Sequence, residues 1–170
     1  LVLSGPDLAI WRAQAAWLPR LSSVETCAPQ SHTVAFLTED GDGWLSYLVP
    51  MPDSPGFMQL GGFHRLRLDA TGKSVLDQIA LFSECGGWRN PADAVAFVIA
   101  QVEDRIPSES YVYSSLFWNL PLFVSNAEND TVWAVDDGGV HDVSDRFGSR
   151  AAAQQGVEPD VATPRLFRWW

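Results

Sequence analysis

The chain has 170 residues, a length typical of one domain, and we predict a single domain over residues 1–170. Its composition, 46% apolar and 19% charged, excludes an intrinsically disordered chain. With 21 acidic and 11 basic residues, the net charge of −10 disfavours nucleic acid and anionic membranes. Such a charge would attract a basic protein partner; the alternative is that it serves solubility alone. No apolar run approaches the ~20 residues of a membrane-spanning helix, so no membrane insertion is predicted.

The first predicted element is an N-terminal helix over about residues 4–18. Ser4 or Gly5 is a candidate N-cap, Pro6 suits the first turn, and Pro19 ends the helix. The apolar spacing predicts that one helix face packs in the core, formed by Leu8, Trp11, Ala15 and Leu18.

The two cysteines, Cys27 and Cys85, predict a disulfide. The chain begins at Leu1 and not at Met, as it would if an N-terminal secretory signal had been removed. Such a protein would be periplasmic or otherwise exported, where disulfides persist. The alternative is two buried free thiols in a cytosolic protein. No Cys-x-x-Cys or Cys/His pattern indicates a zinc site.

A β-rich core is predicted over about residues 32–147, starting with two hairpins. The first joins strands at 32–38 and 44–50 through the turn Glu39–Gly43. Residues 51–62, rich in Pro and Gly, are predicted to be a loop. The second hairpin joins strands at 63–69 and 75–82; in its first strand, one face carries His64, Leu66 and Leu68 and the other Phe63, Arg65 and Arg67.

Further strands follow the second hairpin. Residues 92–102 are compatible with a helix or a strand, and their branched and aromatic residues favour a buried strand. Asp136–Gly139 predicts a tight hairpin turn. Residues 148–170 form a predicted C-terminal extension that ends in a strand at 166–170, and the other predicted strands lie at 111–118, 121–125, 131–135 and 139–143. The predicted fold is mostly β, an antiparallel meander or sandwich with an N-terminal helix.

No catalytic residues, metal or cofactor are predicted, because each candidate motif lacks the required spacing. The acidic 39–43 turn resembles a calcium loop, but Trp44 and Met51 occupy two of the ligand positions. The three histidines lie far apart, and His64 is expected to be a buried sheet residue. A Cys27–His32 nucleophile pair is incompatible with the disulfide. A glycosidase carboxylate pair remains a minor alternative, its candidates being Glu84, Glu103, Asp104 and Glu109.

The polar segment 103–110 is the predicted partner-binding loop. Pro107 restricts its backbone, and a loop that is stiff before binding loses less entropy on docking. Small hydroxyl side chains could enter a narrow catalytic groove of the partner. The predicted partner-binding residues are Ser108, Glu109, Ser110, Ser114 and Ser115. The alternative is an ordinary connecting loop.

A second functional alternative is a glycan-binding module. Tryptophan rings on the surface could stack on sugar rings, whereas buried ones would belong to the core. The candidates are Trp44, Trp88, Trp118 and Trp133, of which at least two are expected in the core.

The run Tyr111–Val124, the sequence Trp133-Ala134-Val135 with its glycine turn, and the hairpin before Cys85 resemble small exported proteins of Gram-negative bacteria. Among these, the chain is most similar to periplasmic immunity proteins of type VI secretion cell-wall amidase effectors. The resemblance implies a β-rich inhibitor, without catalytic activity, that inserts a serine-bearing loop into the Cys/His active site of a secreted amidase.

Overall fold

The fold is taken from a computed structural model of the chain, which describes residues 5–52, 54, 56–82, 85–89, 93–101, 105–126 and 128–147. The helices are α1 (Gly5–Ala15), α2 (Glu109–Trp118) and α3 (Ser144–Phe147), with a 3-10 helix at Leu18–Ser23. No helix within these ranges is long and apolar enough to cross a membrane.

Ten strands are present in the described residues. They are β1 (Gln30–Leu37), β2 (Gly43–Met51), β3 (Phe57–Gln59), β4 (His64–Asp69), β5 (Val75–Ala80), β6 (Gly87–Arg89), β7 (Phe97–Gln101), β8 (Leu122–Asn126), β9 (Thr131–Asp136) and β10 (Gly139–Asp142). The first sheet has the order β1-β2-β4-β5, the second sheet β10-β9-β8-β7, and a small sheet pairs β3 with β6. The prediction of a mostly β fold with antiparallel sheets and an N-terminal helix is confirmed.

The predicted hairpins are confirmed, and their turns have the expected chemistry. In the β1–β2 turn, the Gly41 N–H donates to Thr38 O at 2.9 Å, and Gly41 has the positive φ of +72° that glycine adopts readily. In the β9–β10 turn, Asp137 and Gly138 have φ of 46° and 78°, as a two-residue type I′ turn requires. His64 is buried, as predicted, and its Nε2 lies 2.7 Å from Glu25 O.

The predicted buried face of the N-terminal helix is wrong. Trp11 and Leu18 are exposed, whereas Ala13 and Trp17 are fully buried against the inner face of the first sheet. The helix is apolar on nearly all sides, so periodicity did not distinguish its faces. The helix backbone also lies close to the turn between β4 and β5. A Cβ atom added to Gly72 in this turn would lie only 2.5 Å from Ala9 O.

The helix also ends earlier than predicted, at Ala15. Pro19 has no N–H to donate to Ala15 O, so the α-helical hydrogen bonds cannot continue. The chain passes instead into the 3-10 helix, in which Pro19 occupies the first turn.

The predicted strand over 111–118 is wrong, because this run forms α2. Aromatic and branched residues favoured a strand, but helical spacing places Tyr111, Ser114 and Ser115 on one buried face. Asn119 ends the helix in the left-handed conformation, and its N–H donates to Leu116 O at 3.3 Å. Because α2 connects β7 to β8, these two strands are parallel, and they are the one parallel pair among the described strands.

Two other predictions needed adjustment. The loop predicted over 51–62 contains β3, whose Met58 is fully buried. The predicted buried strand over 92–102 corresponds to β7, in which Ile99 is buried but Val98 is exposed, since β7 lies at the edge of the second sheet. The C-terminal extension at 148–170, like Val102, lies outside the described residues.

The turn between β4 and β5 gives a testable pH dependence. Partial desolvation acts to raise the pKa of Asp69, but hydrogen bonds from the Lys73 N–H and the Thr71 hydroxyl, each 3.0 Å long, help to lower it to about 2. The stabilising effect of this carboxylate is therefore present above its ordinary pKa of 3.8 and is lost as the pH falls towards 2. We expect NMR titration to give a low pKa for Asp69 and a higher one in Thr71→Ala. A wild-type pKa near the ordinary value would contradict this.

Candidate interaction surface

Helix α2 packs on the second sheet and reaches the first sheet through side-chain contacts. Towards the second sheet, the Ser115 hydroxyl lies 3.0 Å from Val135 O and 2.8 Å from Leu120 O. Towards the first sheet, the Tyr113 ring packs edge-on against Phe63, with ring centroids 5.5 Å apart. The helix is therefore fixed over one part of the outer face of the first sheet, the face opposite α1, and the side chains beside it remain accessible.

A charged network joins α2 to that outer face. Arg65 on β4 forms an ion pair with Glu109 at the start of α2, and the Tyr47 hydroxyl donates to the same carboxylate at 3.5 Å. Tyr47 and Arg65 are cross-strand partners, so the sheet register presents both to Glu109. Burial, and then the negative charge of Glu109, raise the pKa of Tyr47, so its hydroxyl stays protonated near neutral pH.

At this network lie two aromatic pairs, one on the first sheet and one on α2, and together with Val34 we call them the outer aromatic surface. The Phe36 and Tyr47 rings are 6.1 Å apart on the sheet, and the Tyr113 and Phe117 rings are stacked 5.6 Å apart on α2. Phe36 is 59% exposed and Phe117 48%. The members of the surface are Val34, Phe36, Tyr47, Tyr113 and Phe117. Exposed apolar patches mark interaction sites in other proteins.

The charges around the outer aromatic surface leave an excess of acidic groups. The two arginines on this face are paired, Arg65 with Glu109 and Arg67 with Asp42, the latter at 3.6 Å. Glu39 and Asp40, in the exposed β1–β2 turn, make no ion pair with a basic side chain in the described part of the chain. An apolar surface bordered by unpaired carboxylates suits a partner that carries apolar and basic groups.

The structure does not place the five predicted partner-binding residues together on one loop. Ser110, Ser114 and Ser115 are buried on the inward face of α2, where a partner cannot reach them. Ser108 is half-buried, and its hydroxyl lies 3.1 Å from Leu81 O and 2.8 Å from the Ser110 hydroxyl. Glu109 is exposed but paired with Arg65. A partner-binding role of Ser108 and Glu109 stays a prediction.

The four candidate tryptophans do not form a row. Trp44 is buried and donates from Nε1 to Ala70 O at 3.1 Å. Trp118 and Trp133 are half-buried and pack against the core of the second sheet. Only Trp88 of the four is exposed. These positions match the expectation that at least two are core residues.

The predicted disulfide between Cys27 and Cys85 is confirmed, with Cα atoms 5.2 Å apart. Glu25 and the two cysteine sulfurs lie within 4.8 Å of one another. Because the sulfurs are bonded to each other, neither is a thiolate that could bind a metal or attack a substrate. Three of the candidate hydrolase carboxylates, Glu84, Glu103 and Asp104, lie outside the described residues.

Sequence interpretation did not predict the outer aromatic surface. A signal for it was present in the alternation of Val34 and Phe36, which predicts that both lie on the same face of β1. The exposure of that face could not be predicted, since it depends on which element covers it.

Neither a protein-family model, a curated protein nor a solved structure matches the chain.

Proposed function

We propose that the protein binds and inhibits a basic secreted enzyme, and that the outer aromatic surface is its contact site. The observation that carries this proposal is the exposure of Phe36 on the outer face of the first sheet and of the stacked Tyr113 and Phe117 rings on α2. Aromatic side chains dominate the energetics of protein interfaces and carry little rotamer entropy to lose on binding.

Charge and compartment support the same proposal. The net charge of −10 would accelerate association with a cationic protein, and the acidic turn at Glu39 and Asp40 concentrates this charge beside the surface. The Cys27–Cys85 disulfide suits an oxidising compartment such as the periplasm. The resemblance to immunity proteins names the enzyme class, a cell-wall amidase effector of type VI secretion. Because Ser110, Ser114 and Ser115 are buried, we propose the outer aromatic surface as the contact site instead of a serine-bearing loop.

The glycan-binding alternative lacks a comparable observation. Ring platforms for sugars need several exposed aromatic side chains in a flat row. Trp88 alone of the four candidate tryptophans is exposed, and it lies on the short strand β6.

The proposal predicts a direct complex with a cationic amidase, taken first from the product of the neighbouring gene. We expect the purified protein to bind this amidase and to block its hydrolysis of peptidoglycan. Phe36→Ala should weaken binding by about 30-fold, the effect of removing an interface hot spot. Isothermal titration calorimetry and an amidase assay measure the two effects.

Trp11→Ala is the matched control. Trp11 is also a large, exposed aromatic residue, 54% accessible, but it lies on α1 at the opposite face of the first sheet. We expect Trp11→Ala to leave the dissociation constant unchanged within about twofold. Equal losses in the two variants would contradict the assignment of the surface, and an amidase that neither binds nor is inhibited would overturn the function.

A further inference from the structure

Strand β1 forms an open edge of the first sheet. It is eight residues long and pairs with β2 alone among the described strands. An unpaired edge of this length is a template for the addition of another strand. The opposite edge, β5, differs, since it carries Asp77 and its pairing with β4 is interrupted by a register shift at Arg67/Leu68. Charges and irregularities of this kind protect an edge, and β1 contains no acidic residue, lysine, arginine or proline.

The register identifies which backbone groups of β1 are open. The Thr38 N–H donates to Gly43 O at 2.9 Å. Hydrogen-bonded and non-hydrogen-bonded pairs alternate along an antiparallel ladder, so every second residue of β1 counted back from Thr38 is in a hydrogen-bonded pair with β2. The intervening residues direct their N–H and C=O groups away from β2; they are Ser31, Thr33, Ala35 and Leu37. The contact of Gln14 Nε2 with Thr33 O at 3.3 Å, from the side of α1, agrees with this direction. A carbonyl oxygen has two lone pairs, so Thr33 O can accept a second hydrogen bond.

The side chains near this edge favour an apolar neighbour. Phe36 and Val34, on the outer face of β1, are exposed members of the outer aromatic surface. A strand added to β1 would therefore place its own outward side chains beside Phe36 and continue that surface.

We propose that the edge of β1 receives an extended segment of the basic partner as an added β-strand, an inference that rests on the proposed function. Charge selects the partner over a second copy of the chain, because two copies would each bring a net charge of −10. The acidic turn with Glu39 and Asp40 directly follows β1, so the added segment carries lysine or arginine at the end that lies beside this turn. The open N–H and C=O groups of β1 would provide affinity. The exposed Phe36 side chain would provide selectivity for apolar residues on the outer face of the added strand.

Leu37→Pro tests the backbone contact. Proline removes the outward N–H of Leu37 and is tolerated at a sheet edge, and the pairing with Trp44 survives because Leu37 sits in a non-hydrogen-bonded pair. We expect the dissociation constant for the amidase to rise about tenfold. Leu37→Ala retains the N–H and should change it by less than about threefold. Equal losses in the two variants would assign the effect to the side chain and overturn strand addition.

Hydrogen exchange on the wild-type complex provides a test that does not depend on how the proline variant folds. The N–H groups of Thr33, Ala35 and Leu37 should exchange at least about tenfold more slowly when the amidase is bound. Unchanged exchange in a complex that still forms would overturn strand addition and leave the proposed function standing, whereas the lack of any complex would overturn the function itself. Sedimentation of the free protein tests for self-association at this edge. If the wild-type protein were a dimer and Leu37→Pro a monomer, the edge would bind a second copy of the chain, and the proposal of a partner strand would be overturned.

Discussion

Replacing Cys27 and Cys85 together by serine should lower the free energy of unfolding by about 4 kcal/mol. The disulfide joins residues 58 positions apart, and closing a loop of this length removes that much conformational entropy from the unfolded chain. It links the segment after the 3-10 helix to the segment before β6. Because domains of this size have stabilities of about 5–15 kcal/mol, the loss is a large part of the total.

Urea unfolding followed by tryptophan fluorescence measures this effect. Reduction of the wild-type protein with a thiol should produce the same loss, and the double-serine variant should be insensitive to the thiol. The two results together separate the crosslink from the substituted side chains. A loss below about 1 kcal/mol in both would contradict a loop-closure origin.

Local turn chemistry explains why the hairpins could be predicted. The turns after Leu37, Asp69 and Asp136 contain Gly and Asp at positions that favour positive φ or hydrogen bonds to side-chain oxygens. Such turns act within a few residues, so sequence alone contains the information. The alternation in β4, with His64, Leu66 and Leu68 buried, is equally local.

The errors arose where a face or an environment is chosen by distant residues. In α1, two stripes were apolar, and the one that packs was decided by the fit of its alanines against the first sheet. The run 111–118 contains aromatic and branched residues that suit a strand, while the flanking Ser108 and Asn119 indicate a helix. Side-chain preference for strands varies with packing, and here the helix signals at the two ends were the better guide.

The burial of three predicted partner-binding serines has the same cause. The serines of the 108–115 segment suggested a polar surface, but helical spacing turns Ser110, Ser114 and Ser115 inwards. Phe36 has the properties of a core residue, yet it lies on an edge strand and its side chain is exposed. Coverage of one element by another depends on the whole fold, so neither outcome follows from local sequence.

Trp17→Ala should lower the free energy of unfolding by about 3–5 kcal/mol. Trp17 is fully buried, with its ring 6.2 Å from that of His64, and it packs in the cluster that joins α1 to the first sheet. Truncation would lose the apolar burial and leave a cavity in this cluster. Trp11→Ala, on the exposed side of α1, should cost less than about 1 kcal/mol.

Trp17→Phe separates packing from polarity at this site. Trp17 Nε1 is buried without a hydrogen-bond partner in the described part of the chain, and a buried N–H left unpaired costs about 1–3 kcal/mol. Phenylalanine retains most of the ring and removes this N–H, so its loss of packing is partly offset. We expect urea unfolding to give Trp17→Phe less than half of the loss of Trp17→Ala. Equal losses would contradict this and would mean that the indole N–H forms a hydrogen bond that stabilises the fold in addition to the packing of the ring.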